Sequence, residues 1–406
     1  MDAMRSVLRH REFRLLWAAS SASTLGDRIV FVALALYVTD IGSASDVGIV
    51  LAANAIPLVL FVLIGGVWAD RLERHRVMVA TDVVRAVLHG TLAVLIFLGP
   101  VPIWAIAVIE AAFGTAEAFF NPAVTGLVPQ TVPDGEVQQA NAANSIVSNA
   151  AELVGPAIAT ALVLGLGAGW AFAVDAATFV FSALLLSRLR PRSRGERAPR
   201  QAMTAELRAG WQELRSRQWA WVVIGATSIA LLVSLGPYFT LGPTVAEENY
   251  GSTGVYGALA VALGAGTLLG SVAGLRWRPH HPIRFAMAWA ALWPPSFALF
   301  ALGPPLWALI PLFVLVGFGF SMFDVSWDTA IAERIPPHAI SRVSAFDWMG
   351  SLALLPLGFL LAGPLAESFG AAEVLVVGGL IGMAVAVAGL AMPGVWRLRR
   401  IEAPAA

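Results

Sequence analysis

Apolar residues in this chain do not alternate with polar ones. They continue for about 20 positions at a time, the length a helix needs to cross the hydrocarbon of a bilayer, and short polar stretches separate the runs. Twelve runs are counted, near 15–38, 47–69, 77–99, 101–120, 138–165, 169–187, 219–241, 253–275, 284–302, 304–323, 341–365 and 373–395. A chain in lipid must satisfy its own backbone hydrogen bonds, so each run predicts a helix. The expected fold class is an all-α polytopic membrane protein with 12 transmembrane helices.

Composition agrees with the pattern. Of 406 residues 58% are hydrophobic and 13% charged, too apolar for a soluble chain of this length. There is no cysteine, which excludes disulfides, thiolate metal sites and cysteine nucleophiles, and the six histidines form no ligand spacing. No cofactor or metal is expected, and no nucleotide-binding loop or nucleophile motif points to an enzyme. The first run ends in Tyr37-Val38-Thr39-Asp40, which reads as a span rather than a cleaved leader. All 26 basic residues are arginine, and they fall on alternate loops. Arg5, Arg9, Arg11 and Arg14 precede the first run, nine arginines lie in 188–217, Arg276, Arg278 and Arg284 follow the eighth, and Arg397, Arg399 and Arg400 close the chain. The opposite loops carry acids, namely Asp40, Asp46, Glu247, Glu248, Glu367 and Glu373. The positive-inside rule then places both termini in the cytoplasm.

Sliding the chain by 203 residues lays Gly114 on Gly317, Asn121 on Asp324, Pro133 on Pro336, Gly155 on Gly358 and Gly167 on Gly370. Each half holds six runs, so the expected organisation is an N-terminal six-helix bundle over 1–187, a cytoplasmic linker over 188–217 and a C-terminal six-helix bundle over 218–406. The linker begins Arg/Pro-rich, and Met203, Leu207, Trp211 and Leu214 then recur at helical spacing, which predicts an amphipathic helix on the inner leaflet.

Function is read from polar residues inside the apolar runs. Insertion of an Asp or Arg at mid-helix costs roughly 2.5–3.5 kcal/mol, so such groups must face protein or a wet cavity. Asp27, Arg28, Glu110 and Glu152 lie deep in runs, with Glu117 nearer an end, and these five are the candidates for proton coupling or substrate binding. Ser20, Thr24 and Asp27 form one stripe on the first helix, and Asn141, Ser145, Ser148 and Glu152 form another on the fifth. The stripes read as cavity lining or as interhelical hydrogen bonds. Asn54, Phe320 and Trp348 are further lining candidates, with Phe119, Phe120, Phe323 and Trp327 as possible aromatic walls. Arg28 is read as the one arginine deep in the membrane, needing Asp27, Glu110 or Glu152 as its anion. His89 and Asp175 are read as packing or interface residues of outer helices rather than a relay, Asp324, Asp328 and Asp347 as capping groups or latch contacts with Arg71, Arg74 or Arg76, and Gly266, Gly270 and Gly274 as a close-packing face.

The stretch 65–76, GGVWADRLERHR, reads as a tight charged loop between the second and third helices. Gly66, Asp70-Arg71, Arg74 and Arg76 are similar to the signature loop of the major facilitator superfamily of transporters. With Asp347 they are the candidates for a conformational latch. The run IEAAFG resembles a helix 4 motif of that superfamily in which an Arg precedes the Gly by four residues. Glu110 stands in the Arg position while Gly114 is kept, which suggests a swapped charge with Arg28 facing Glu110. Gly155-Pro156 resembles, in part, a helix 5 motif associated with exporters. STLGD, FFNPAVTGLVP, ANAANS and DAATFVFSALLL look like the drug-efflux branch that includes macrolide-efflux and enterobactin-export proteins. The resemblance covers most of the N-terminal half, and the C-terminal half matches by topology and repeat.

The resemblance implies the superfamily fold of two pseudo-symmetric bundles. It implies a proton-driven exporter of amphipathic small molecules (a drug, an antibiotic or a siderophore-like metabolite) working by alternating access in a bacterial inner membrane. Its partners would be a small-molecule substrate, protons and the lipid bilayer, with no nucleic acid, and the protein would be a monomer. An uptake symporter for a polar nutrient and a membrane scaffold without flux stay open as alternatives.

Overall fold

The computed structural model describes residues 6–192, 211–274, 277, 279–335, 343, 347 and 349–399, with the side chains of 63–71, 134, 138 and 332 left aside. Trp348 and most of the expected amphipathic segment of the linker lie outside these residues, and so do the side chains of Asp70 and Arg71. The chain divides into two compact units, 1–197 and 198–406.

The first unit contains α1 (Arg11–Ile41), α2 (Ala44–Arg71), α3 (Arg74–Leu98), α4 (Ile103–Leu127), α5 (Val137–Leu166) and α6 (Ala168–Leu186). The charged stretch expected as a loop over 65–76 is mostly helical: α2 continues to Arg71 and α3 starts at Arg74, leaving Leu72 and Glu73 as the link. The turn at the far end of α3 needs Gly99, whose φ of 145° is closed to other residues at low strain.

In the second unit α7 spans Gln218–Tyr250 and contains a π-helical turn at Leu231–Leu235. It is followed by α8 (Gly254–Gly274), α9 (Pro282–Ala290), α10 (Trp293–Ala301), α11 (Leu306–Arg334), α12 (Leu355–Phe369) and α13 (Ala371–Ala391). The single helix expected over 284–302 is thus two nine-residue helices. Pro294 and Pro295 open the second of them, where a proline is tolerated, and interrupt the backbone hydrogen bonding that would have joined them. Among the described residues eleven helices are long and apolar enough to cross a membrane by length and composition, and α9 and α10, at nine residues each, fall short of that length singly. The outward residues of the eleven are apolar, with Leu98, Trp104 and Trp307 among the most exposed, as a lipid-facing surface requires.

The repeat at 203 residues reappears in how helices approach one another. In the first unit α2 packs on α4, and in the second α8 packs on α11. A Cβ at Gly114 would strike the backbone oxygen of Asn54, and one at the equivalent Gly317 would strike the backbone oxygen of Leu263. Gly155 meets Arg28 of α1, while its equivalent Gly358 lies 2.6 Å from the Leu232 oxygen by the same construction. The ladder Gly266, Gly270, Gly274 closes on α11 at Val314, Phe318 and Val325. Small residues at these crossings let backbones touch where lipid offers no hydrophobic drive for helices to associate.

Gly317→Ala is expected to destabilise the detergent-solubilised protein by about 1–3 kcal/mol through overpacking. Gly225→Ala, whose added carbon meets nothing within 4 Å, is the matched control and should leave the melting temperature unchanged or raised. Thermal unfolding of the two purified variants compares them directly.

A buried charge cluster as the candidate functional site

Two faces of the first unit carry polar groups, one partly exposed and one sealed. On α1, Ser20, Thr24, Asp27 and Arg28 are all half-buried. On α5, Asn141 and Ser145 are exposed and Ser148 and Glu152 half-buried. Both stripes therefore lie at accessible surface. Arg28 Nη2 stands 2.9 Å from Glu152 Oε1. The swapped pair expected between Arg28 and Glu110 does not form, because Gly155 draws α5 onto the Arg28 backbone and brings Glu152 to it, while Glu110 turns into the interior of α4.

The sealed face is centred on α3. Asp82, Arg85 and His89 occupy positions i, i+3 and i+7, one side of the helix, and none has exposed surface. Arg85 Nη2 contacts Asp82 Oδ1 at 2.5 Å, and Nη1 lies 3.7 Å from Asp27 Oδ2. Its guanidinium sits between two rings, 4.1 Å from the centroid of Phe120 and 4.3 Å from that of Phe179. Weak hydration, a flat shape and permanent charge suit a guanidinium to such a slot, where it gains both cation–π and ionic contacts. Arg28 is thus not the only arginine deep in the membrane; Arg85 is the more buried, and Arg28 keeps 43% of its side chain exposed. Phe120, expected on a cavity wall, instead covers Arg85 inside the unit.

One turn further along α3, His89 Nδ1 is hydrogen-bonded to Asp175 Oδ2 of α6, and its Nε2 lies 3.4 Å from Glu110 Oε1 of α4. Asn54 of α2 donates to the other oxygen of Glu110 at 3.1 Å. The imidazole stacks on Phe113 with centroids 4.0 Å apart and meets Phe172 edge-on. His89 and Asp175 bond to each other and connect α3 to α6, a contact at the interface between these two helices. Gly26 on α1 allows this, since a Cβ there would overlap Asp175 Oδ1. Glu117 is half-buried one face-repeat from Glu110, hydrogen-bonded to Asn121 and within electrostatic reach of Arg85 and Arg28.

Among the described residues the fully buried ionisable groups of these spans are three carboxylates (Asp82, Glu110 and Asp175) against one guanidinium, Arg85, and one imidazole, His89. Electroneutrality in a low-dielectric interior then requires bound protons or an arriving cation. Sequence reasoning passed over Asp82 and Arg85, although the stripe count that found the α1 and α5 faces would have found this one.

The latch candidates have local partners. Arg74 Nη1 donates to the Gly126 carbonyl at 2.6 Å, fastening the start of α3 to the end of α4. Arg76 pairs with Glu73 at 2.7 Å. In the second unit Asp347 accepts from the Trp327 indole at 2.8 Å and from Ser351 at 3.2 Å. Phe320 stacks on Trp293 at 4.0 Å, and Phe323 and Trp327 are buried within the unit rather than on an open wall.

Comparison with known proteins agrees with this architecture. The family described as Major Facilitator Superfamily matches residues 16–353. The multidrug efflux pump Tap of Mycolicibacterium fortuitum is 30% identical over 370 residues, covering 88% of this chain and 89% of that protein. Macrolide efflux protein A of Streptococcus pyogenes is 21% identical over 374 residues, 88% of this chain and 90% of that one. Among solved structures, the nucleoside transporter NupG superposes with a TM-score of 0.71 at 15% identity, over 95% of this chain and 99% of that one. An inward-facing bacterial homolog of the lysosomal transporter Spinster gives 0.67 at 15% identity, over 96% and 95%. At those identities the solved structures establish the fold alone.

Arg85→Met is expected to cost about 3–5 kcal/mol, since it strands Asp82 and part of Asp27 without a counter-charge. Arg85→Lys should recover less than half of that, because a compact ammonium fills the Phe120–Phe179 slot poorly. Retention of a monodisperse, folded peak after solubilisation at rising temperature measures both.

Proposed function

We propose that this chain, which belongs to the major facilitator superfamily of transporters, is a proton-driven exporter of amphipathic small molecules that works by alternating access. The observation that carries the reading is the position of Asp27. Its side chain is one-third exposed on the polar stripe of α1 with one carboxylate oxygen buried, and the other oxygen is ion-paired to a fully buried arginine. A carboxylate so placed can take up a proton from water and report the change to the interior, because protonation removes one of the two counter-charges of Arg85. Names of the relatives support export and the class of cargo: one is a multidrug efflux pump and another a macrolide efflux protein.

The rest of the reading follows from charge. Arginines on alternate loops support cytoplasmic termini in a bacterial inner membrane. Glu152 with Arg28, and the hydroxyls of Ser20, Thr24 and Ser148 with the amide of Asn141, supply polar contacts along a wet passage. A monomer suffices, since all the charged groups invoked belong to one chain. Gly66, Asp70, Arg71, Arg74, Arg76 and Asp347 are retained as the proposed latch.

The test is uptake of a radiolabelled macrolide into everted vesicles with an acid interior. Accumulation should vanish when the gradient is dissipated, and Asp27→Asn at normal expression should lower it on the order of tenfold or more. Accumulation indifferent to both the gradient and the substitution contradicts proton-driven export through Asp27.

A further inference from the structure

The half-exposed Asp27 accounts for proton entry but not for the sealed chemistry behind it. His89, Asp175 and Glu110 have at most 1% exposure, and each of the two imidazole nitrogens is set against a carboxylate oxygen. A neutral imidazole carries one N–H. With both carboxylates ionised, one nitrogen would then point its lone pair at an oxygen lone pair, with no solvent-exposed surface to relieve it. His89 Nε2 and Glu110 Oε1, 3.4 Å apart, are both buried without a hydrogen-bond partner, and one more proton relieves the conflict, held either as an imidazolium between two carboxylates or as a neutral imidazole beside one carboxylic acid. Both forms have the same proton count and a net charge of −1.

We propose that the Asp175–His89–Glu110 triad is the site that stores the coupling proton, and that Asp27 is the group through which the proton exchanges with water. This rests on the reading of the protein as proton-driven. Asp27 follows Gly26, the residue that lets α1 lie against Asp175 Oδ1. Asp175 Oδ1 and Asp27 Oδ1 are both buried without a hydrogen-bond partner. Asp27 is within electrostatic reach of Asp175, His89 and Glu117 as well as of Arg85.

The charged groups around the triad come from every neighbouring helix. They are Asp27 of α1, Asp82 and Arg85 of its own helix, Glu117 of α4 and the Arg28–Glu152 pair joining α1 to α5; α2 contributes the neutral Asn54. Transfer conserves charge. As the proton moves, the triad goes from −1 to −2 and Asp27 from carboxylate to carboxylic acid. Arg85 gives up Asp27 as a counter-ion and keeps Asp82. The arginine therefore senses where the proton is, and its aromatic slot at Phe120 and Phe179 carries that state to α4 and α6. His89 acts in this scheme as a relay and positioning residue for coupling, with no contact to cargo required.

The test compares gradient-driven accumulation of a radiolabelled macrolide with macrolide counterflow, which needs no net proton movement, in liposomes holding the full chain. In His89→Gln, driven accumulation should fall to the equilibrated level while counterflow stays within twofold of the unsubstituted protein. Glu110→Gln and Asp175→Asn are read in both assays, so the outcome does not hinge on one variant folding. Folded variants that accumulate macrolide as well as the unsubstituted protein overturn the proposal. So does loss of counterflow in all three, since the triad would then serve only to hold helices together. Failure of the unsubstituted protein to respond to the gradient would instead remove the exporter reading itself, a distinguishable result.

Discussion

A guanidinium carried into the hydrocarbon layer must bring its counter-charges with it, and in this protein the side chain of Arg85 meets that requirement with contacts on four helices. Asp82 comes from its own helix, Asp27 from α1, Phe120 from α4 and Phe179 from α6. Removing one partner of a buried pair costs far more than the pair contributes as a whole. The cluster consequently acts as a fixed constraint on how these helices meet, and His89 extends it by one turn to Glu110 and Asp175. The glycines at 26, 114 and 155 belong to the same constraint, because each allows the backbone approach that delivers one of the polar partners.

The two units put their polar and aromatic chemistry in different places. The first unit concentrates ionisable groups. The corresponding interior of the second is aromatic: Tyr238 stacks on Phe297 at 4.3 Å with Phe300 and Phe313 nearby, and Trp293 joins Phe320 and Phe323. Both halves nevertheless keep the same glycine-on-carbonyl crossings at Gly114 and Gly317. The shared architecture resides in the small residues, and the functional difference between the halves resides in what the larger ones carry. A division of labour in which one unit handles protons and the other packs rigidly is consistent with that asymmetry.

Most of the fold was readable because its signal is coarse. Long apolar runs admit one local structure in lipid, and a 203-residue repeat of Gly and Pro reports helix crossings directly. The ninth span was misread where hydropathy is blind to backbone chemistry: Pro294-Pro295 splits it without lowering its apolar character. The helical segment 65–71 was read as loop because its charges suggested an exit from the membrane, yet helices run on past the bilayer at little cost. At the site, stripes on α1 and α5 were legible from spacing alone. Asp82 and Arg85 carry the same signal on α3, but it is fainter there because their run is otherwise mostly apolar and lacks the several hydroxyls that mark the stripes on α1 and α5. The pairing of His89 with Asp175 had no local signature, since the partners are 86 residues apart and meet only when Gly26 lets α1 and α6 close.

The central claim is that the polar stripes of α1 and α5, with Asp27 and Glu152 on them, border water rather than lipid. A chain without cysteine permits a direct measurement of this. Thr24→Cys and Ser145→Cys, on the two polar stripes, are exposed in membrane vesicles to a charged, membrane-impermeant thiol reagent, with Val108→Cys on the apolar outer surface as the reference. The account predicts that both stripe positions are modified rapidly and that a macrolide slows the modification, while position 108 stays unreactive. Stripe positions as inert as position 108 would contradict it.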